Sequence, residues 1–307
     1  MGLGGLSMSG GTEVVGNVFS DGNISGSGTI DNNVVVSGNG HSISGVTVKG
    51  NTLAYSCLSG ATINGNLIYV TGGTHTCTVK GTTTSQPTEI VEQPMPIPQS
   101  QITDWEEAAV GSGNILYNGN YSLSGVGTGS LLGPGIINGS VTLGNSTVLT
   151  TGPVEITGNL SIGGSAKLIM KGVVYVKGNI ILTNSGQIDM DNSFGSSGGI
   201  IIADGIISTG GSGIFKSTGQ AGSYILVISN NNSATAITVA NSSSTGAAFY
   251  TTVGTLYLSG GISLMEATGY AVNMTGGAKI QYSSGLVNVY FTSGPGGRWK
   301  VISWQEY

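Results

Sequence analysis

The 307-residue sequence predicts an all-β protein built as a parallel β-solenoid, or β-helix, with one short helix. The first observation is glycine, whose 55 copies punctuate the chain together with asparagine. The second is a period near 20 residues, seen in Gly158-Asn159-Leu160 and Gly178-Asn179-Ile180. The third is the lack of any long window with helical periodicity, which excludes a βαβ fold because that fold needs crossover helices.

Stacking explains why these residues suit a solenoid. One coil of two or three strands cannot bury its apolar side, whereas coils stacked at about 4.8 Å bury Val, Ile and Leu in continuous rows. The apolar residues Val18, Ile24, Ile30 and Val36 follow one another at intervals of six. Gly and Asn suit the corners because both tolerate positive φ. We expect a right-handed coil, which is the rule for parallel crossovers.

The order of segments predicts two β regions separated by a linker. Residues 1–82 form an N-terminal solenoid segment, residues 83–111 a proline-rich linker with a short helix, and residues 112–307 the main solenoid with a closing strand. Proline removes the N–H that a sheet needs, so the middle region leaves the regular stack. Four of the seven prolines lie there: Pro87, Pro94, Pro96 and Pro98.

Residues 102–109 carry the helical signal of the chain. Thr103 is placed to be the N-cap, with acidic residues in the first turn, where the helix dipole favours them. We expect this helix to cover the open end of the second stack, with Trp105 as its apolar plug, because a solenoid must hide its terminal edges. Trp299 and Trp304 predict a final strand that closes the other end.

Cys57 and Cys77 predict a disulfide. They are 20 residues apart, about one coil, so both could lie at one corner of adjacent coils, within the distance that a disulfide spans. Two buried free thiols, acting as small apolar residues, are the alternative. A zinc site is not expected, because His75 and Cys77 supply two ligands and His41 is the only other histidine.

Asp189, Asp191 and Asp204 are the acidic group of the second solenoid. Asp189 and Asp191 share one side of a strand, and Asp204 could lie near them one coil later. Such carboxylates can bind Ca²⁺ or a glycan, or act as the acid and base of a glycosidase. Solvated or ion-paired turn carboxylates are the structural alternative. The neighbouring lysines are Lys167, Lys171 and Lys177.

Composition excludes several functional classes. Charged residues make up 7% of the chain and the net charge is −5, without a basic cluster, so nucleic-acid binding is not expected. No apolar run is long enough to span a membrane, and the first six residues lack the pattern of a signal peptide. No cofactor and no catalytic residue is predicted.

Hydroxyl residues alternate over residues 74–78, but an ice-binding array would need this on several successive coils. Tyr175, Tyr250 and Tyr257 lie in apolar runs and are expected to pack against the strands.

Five strings in a fixed order resemble a known group of proteins. They are SGGTEV at residues 9–14, PIPQSQI at 96–102, GIIIADG at 199–205, GPGG at 294–297 and SWQE at 303–306. This order is similar to that of type IV pilin-like, envelope-associated, Gly/Asn-rich β-solenoid surface proteins of environmental, largely uncultivated bacteria. The resemblance implies an extracytoplasmic location and envelope or pilus components as partners. It implies no reaction.

The sequence therefore favours an extracellular structural or adhesive surface protein, a shaft without catalytic activity. We expect its native anchor to lie outside this sequence, and a glycan or another surface to be its ligand. One alternative is a polysaccharide hydrolase or lyase that uses Asp189, Asp191 and Asp204. Another is a cytoplasmic, polymer-forming solenoid of the cytoskeletal type, which the expected disulfide disfavours.

Overall fold

The computed structural model describes residues 1–129, 131–241 and 246–281, and the backbone of two short strands at 290–291 and 299–300. Over this part of the chain the predicted fold class is confirmed. The protein is a parallel β-solenoid of about 14 turns with a single α-helix. Trp299 begins one of the two short strands, whereas Trp304 lies outside the described residues.

The N-terminal segment consists of strands of two to four residues. They are β1 (Gly5–Met8), β2 (Glu13–Val15), β3 (Val18–Ser20), β4 (Ile24–Gly26), β5 (Thr29–Ile30), β6 (Val34–Val36), β7 (Ser42–Ile43), β8 (Thr47–Val48), β9 (Thr52–Ala54), β10 (Ser56–Cys57), β11 (Thr62–Ile63), β12 (Leu67–Val70), β13 (Thr78–Val79) and β14 (Thr83–Gln86). Since β14 belongs to the stack, the solenoid extends beyond the expected boundary at residue 82.

Helix α1 (Gln99–Val110) precedes the second segment, whose strands have up to six residues. Those of its first half are β15 (Ile115–Asn118), β16 (Tyr121–Leu123), β17 (Val126–Thr128), β18 (Gly135–Asn138), β19 (Val141–Leu143), β20 (Ser146–Thr151), β21 (Val154–Ile156), β22 (Leu160–Ile162), β23 (Lys167–Met170), β24 (Val174–Val176), β25 (Ile180–Leu182) and β26 (Gln187–Met190).

A 3-10 turn (Asn192–Phe194) separates this half from the next. The remaining strands are β27 (Gly199–Ala203), β28 (Ile207–Gly211), β29 (Ile214–Lys216), β30 (Ile225–Ser229), β31 (Ile237–Asn241), β32 (Ala247–Thr251), β33 (Thr255–Ser259), β34 (Ser263–Leu264), β35 (Glu266–Thr268), β36 (Ala271–Met274), β37 (Lys279–Gln281) and an antiparallel pair, β38 (Tyr290–Phe291) and β39 (Trp299–Lys300).

Each coil passes through three faces in a fixed order. Face 1 is a 12-stranded sheet that runs from β10 to β16. Face 2 follows face 1 along the chain and consists of the seven-stranded sheet from β13 to β34 and the five-stranded sheet from β17 to β29. Face 3 consists of the five-stranded sheet from β14 to β3 and the eight-stranded sheet from β15 to β35.

The two segments form one stack in which spatial order differs from chain order. Strand β1, near the N-terminus, pairs in parallel with β36 from Gly5↔Ala271 to Met8↔Met274. Strand β2 pairs likewise with β37. The coils of residues 1–86 therefore continue the stack beyond residue 281. At this end of the second segment its strands are covered by the first segment, and not by the closing strand that the sequence predicted.

The core is a set of aliphatic rows along the axis. On face 1, inward residues pair from strand to strand through nine positions. Each is at most 1% exposed: Val141, Leu160, Ile180, Ile207, Ile237, Leu256, Val272, Leu6 and Ile24. Burial of each such side chain contributes about 1.5–3 kcal/mol, so the rows offset the entropy of ordering a glycine-rich chain.

Asparagine forms ladders at two corners. In the N-terminal segment the side-chain oxygens of Asn17, Asn33 and Asn51 each accept a hydrogen bond, at 2.9–3.0 Å, from the backbone N–H of the matching residue one coil on. In the second segment Asn159 accepts in the same way from Asn179. The Gly-Asn-apolar pattern thus marks a corner of the coil. There the asparagine side-chain oxygen accepts a hydrogen bond from a backbone N–H that the turn would otherwise leave unpaired.

Glycine is required where successive corners touch. Gly26 has φ +123°, and a Cβ there would lie 1.7 Å from the Met8 carbonyl oxygen. Gly45, in the next coil, has φ +72° and would place a Cβ 2.0 Å from the Gly26 carbonyl oxygen. A side chain at either position would therefore separate the coils.

Helix α1 lies against the side of the solenoid and does not cover its open end, so the predicted position of the helix is wrong. Ile102, Trp105 and Ala109 face outward-pointing apolar residues of β24, β27, β30 and β32 on face 3, and Trp105 is 2% exposed. These outward residues include Tyr175 and Tyr250, whose packing role is confirmed. The apolar flank of face 3 takes up the helix because an exposed aromatic surface of this kind must be covered.

The helix also begins earlier than predicted. Its first residue is Gln99, its N-cap is Pro98 at φ −71°, and no side chain caps it, so Thr103 is not the N-cap. Proline suits a helix start because its fixed φ is pre-set and its missing N–H would be unpaired there in any case.

The linker joins the two parts of the stack along their side. The Gly38 amide donates to the Ile90 carbonyl at 2.9 Å, and the Gln93 amide donates to Asp21 at 3.2 Å. Further along, the Tyr250 hydroxyl donates to the Ile97 carbonyl at 2.7 Å. The linker therefore runs from the N-terminal coils past the joint to the flank where α1 packs.

Candidate functional surface

Face 1 carries no charged residue in any of its 12 strands. One outward position per strand forms a row, here called the hydroxyl row, which is in register from β16 to β4. Seven of its ten members are Ser or Thr: Ser122, Thr142, Ser161, Ile181, Ser208, Thr238, Tyr257, Asn273, Ser7 and Ser25. All ten are partly or fully exposed. At about 4.8 Å per strand, the row is roughly 43 Å long.

Strand geometry creates this row. Side chains alternate across a strand, so Leu160 and Ile162 point into the core while Ser161 between them points outward. Parallel in-register pairing then places each outward residue beside the outward residue of the next coil. The result is a neutral surface of hydroxyl and amide groups, which can both donate and accept hydrogen bonds at a regular spacing.

Face 2 has the opposite character, because it carries ion pairs. Lys49 lies 2.7 Å from Asp31, and Lys279 lies 2.9 Å from Glu13. A second row of outward hydroxyls continues from the Glu13 position and runs in register over four coils. Its members, here called the threonine ladder, are Thr29, Thr47, Thr62 and Thr78.

The predicted acidic group divides between two faces. Asp189 and Asp191 lie on face 2, where Lys167 and Lys171 approach their carboxylates to 3.6 and 3.8 Å. Hydrogen bonds from Ser193 lower the pKa of Asp191, which caps the 3-10 turn. Asp204 follows a face 3 strand. The enzyme hypothesis required the three carboxylates to converge in one groove, and they do not.

Asp204 instead belongs to a hydrogen-bond network beneath helix α1. Its two carboxylate oxygens accept from the Tyr175 hydroxyl at 2.6 Å and from the Asn230 amide at 3.0 Å. The same amide donates to Glu106 of the helix at 2.8 Å. Burial, opposed by this hydrogen bond, raises the pKa of Glu106, and burial together with Asp204 raises that of Tyr175. These polar groups fix the position of the helix on face 3.

Lys177 pairs with a buried carboxylate. It lies 3.0 Å from Glu155, whose side chain is 6% exposed. All three lysines that the sequence placed near acids are therefore ion-paired, two of them with the predicted aspartates.

The disulfide is confirmed. Cys57 and Cys77 are bonded, with their Cα atoms 5.5 Å apart, and Cys57 is fully buried in the core. The bond joins the last two coils of the N-terminal segment, where the Tyr69 and His75 rings stack at 4.7 Å. It holds the terminal coil onto the one beneath it.

Glu266 lies at the joint between the two segments. Burial raises its pKa to about 7, against a hydrogen bond from Thr268 and the charge of the Met1 amino group. Asp21, which accepts a hydrogen bond from Ser37, also lies beside this amino group. The joint therefore brings two carboxylates and an amino group together.

Over the described ranges, no group of three or more His, Cys, Asp or Glu residues is arranged to hold a metal ion. Helix α1 is too short and too polar to cross a membrane, and no other described helix could do so. Comparison with known proteins gives no match among family models, curated proteins or solved structures.

Sequence reasoning found neither the hydroxyl row nor the threonine ladder. Within each segment, consecutive members of the row are 16 to 30 residues apart in the chain, because the loops between coils differ in length. The ladder spacing varies from 15 to 18 residues. A search for Ser or Thr between two apolar residues, without a fixed period, would have found five of the ten members of the row and three of the four members of the ladder.

Proposed function

We propose that the protein is an extracellular structural and adhesive surface protein, and that face 1 is its binding surface for an uncharged, hydroxyl-bearing polymer such as a neutral polysaccharide. The observation that carries the proposal is the separation of charge: face 1 lacks charged residues over 12 strands, while ion pairs lie on face 2. Helix α1 and the linker occupy face 3.

The chemistry of the hydroxyl row supports this ligand class. A neutral polysaccharide presents hydroxyl groups that donate and accept, as Ser, Thr, Tyr and Asn side chains do. No charge on face 1 needs to be desolvated when such a polymer binds, which avoids a penalty that usually weakens polar interfaces. The repeated spacing along one axis lets many weak contacts act together on an extended chain.

The disulfide supports an oxidising compartment, because such bonds persist mainly outside the cytoplasm. The envelope or pilus association is the part of the proposal that the sequence resemblance motivates. The same disulfide disfavours the cytoplasmic alternative.

Binding to insoluble polymers tests the proposal. We expect the protein to sediment with a neutral polysaccharide such as cellulose or chitin, and to do so more than with an anionic one such as pectate. Thr142→Lys with Ser161→Lys places two ammonium groups on face 1 and should weaken binding roughly tenfold or more, since an unpaired charge must then be desolvated.

The control makes the same chemical change on face 2. Thr47→Lys with Thr62→Lys alters adjacent members of the threonine ladder. If this variant loses binding while the face 1 variant keeps it, the ladder and not face 1 is the binding surface. If the unaltered protein binds none of these polymers, the proposed ligand class is wrong. Ice-recrystallisation inhibition, measured in parallel, would reveal a different hydroxyl-matching surface.

A further inference from the structure

We propose that this protein assembles head to tail with further copies of itself through the two open ends of the solenoid. At one end, β15, β16 and β17 are the terminal strands of their sheets and pair only with β18, β19 and β20. At the other end, β13 and β14 pair only with β11 and β12. In the part of the chain that the structure describes, no strand covers the free edges of these five strands.

The end formed by β15–β17 leaves apolar surface exposed. Ile115 is 61% exposed, Tyr117 42% and Val126 93%. Leu116 and Leu123, which pack against the core, are only partly buried because no described coil lies beyond them. An exposed edge with apolar side chains is a template for another strand.

The opposite end is rich in threonine and nearly free of charge. Val79 and Cys77 pack against the core but are only partly buried, and exposed Thr78 and Thr84 lie in the terminal strands. Proteins usually protect such edges with lysine, proline or inward charges. The coil at residues 115–131 has no charged residue or proline, and residues 74–86 contain a single charge, Lys80.

The joint within the chain shows that ends of this kind stack. Strands β36 and β37 receive β1 and β2 in parallel register, although these strands are far apart in sequence and each pair stays on its own face. Two stacks that start independently thus continue one another on faces 1 and 2, whereas β3 and β35 end separate sheets on face 3. The same geometry is available between copies, because the terminal coils run through the three faces in the same order.

On faces 1 and 2, each terminal strand would pair with the terminal strand on the same face of the neighbouring copy, which determines the pairing. Strand β16 of one copy would lie beside residues 74–76 of the next on face 1, and β17 beside β13 on face 2, as β1 and β2 lie beside β36 and β37 at the joint. The interface joins two different surfaces of the same chain, so it does not close on itself and each added copy leaves a new free end. The assembly is therefore an open fibre of one chain type.

Blocking each end separately tests this proposal. Ser122→Lys with Val126→Lys places two charges at the first end, and Thr78→Lys with Thr84→Lys places two at the second. We expect the unaltered protein to form oligomers whose mass grows with concentration in sedimentation velocity, and rods of increasing length in electron micrographs. Each blocked variant should be monomeric.

Mixing the two variants gives the decisive result. Each retains one open end, so an equimolar mixture should give 1:1 dimers and nothing larger. Val253→Lys, at a 50% exposed valine away from both ends, is the matched control and should assemble as the unaltered protein does. The proposal is overturned if the unaltered protein stays monomeric at about 100 μM, well above the ~1 μM dissociation constants of stable associations. Assembly of both blocked variants, or their mixture remaining monomeric, would also overturn it.

Discussion

Removal of the disulfide should open the terminal coil without unfolding the protein. Cys77→Ser breaks the bond and leaves Cys57, which is fully buried, in place as a small apolar side chain. Reduction of the unaltered protein is the matching chemical perturbation. Reductant should have no further effect on the Cys77→Ser variant, because it contains no other cysteine pair.

The magnitude follows from the length of the closed loop. The two cysteines are 20 residues apart, for which loop-closure entropy predicts a loss of about 3 kcal/mol. In a solenoid each coil contacts only its neighbours, so this loss falls on the coil that the bond holds. That coil has little else to retain it, since β13 contributes two residues and β14 four.

Hydrogen exchange followed by mass spectrometry measures this effect. Amides of residues 74–86 should exchange roughly 100-fold faster, which corresponds to about 3 kcal/mol, while residues 1–56 keep their protection. Unchanged protection of residues 78–86 would show that strand pairing alone holds the coil. Equal loss across residues 1–86 would refute coil-by-coil stability.

Three further results are expected. Trp105→Ala should free helix α1 from face 3 at a cost of about 3–5 kcal/mol, because a buried aromatic side chain is lost. Hydrogen exchange should become faster at residues 99–110, while the β signal in circular dichroism stays unchanged. Replacement of the exposed Glu107 by Ala is the control, and a changed β signal in the Trp105→Ala variant would contradict independent packing of the helix. Burial raises the pKa of Glu266 to about 7, so the folded protein favours the protonated carboxyl and its stability should fall by roughly 2–3 kcal/mol as the pH rises from about 4.5 to 7. Glu266→Gln should remove this loss. Equal pH dependence of the melting temperature in the unaltered protein and the variant would be the contrary result. Asn51→Ala should cost about 1 kcal/mol by leaving the Asn66 amide without its acceptor, and Asn51→Asp, which keeps an acceptor oxygen, should restore most of it in thermal unfolding.

The features predictable from sequence are those set by one coil or by its nearest neighbour. The Cys57–Cys77 bond could be predicted because its spacing matches a coil, and the fold class because Gly-Asn corners recur with apolar strands. The ion pairs of Lys167 and Lys171 follow from the same adjacency, since pairing one coil apart brings strand β23 beside β26. Local periodicity contains this information directly.

The features that sequence reasoning missed depend on contacts between distant residues. The apolar side of helix α1 could be recognised from Ile102, Trp105 and Ala109, but amphipathicity does not say whether a helix covers an end or a flank. The joint between β36 and β1 was not predictable, because both segments have the same kind of repeat and either end could have received the other. The hydroxyl row has no fixed period in the sequence, because the loops between coils differ in length. The longest separation within a segment is that between Ser208 and Thr238.

The joint has a consequence for biosynthesis. Residues 1–86 leave the ribosome before the second segment, yet the edge of β1 that faces β36 stays unpaired until residue 274 has been made. During that interval the nascent chain exposes a parallel-strand edge, the kind of surface through which incomplete chains aggregate. The contact that completes the stack joins residues more than 260 positions apart, so we expect this long-range pairing to be the slow, last step of folding. We therefore expect the coils of residues 1–86, although made before those of the second segment, to join the finished solenoid last.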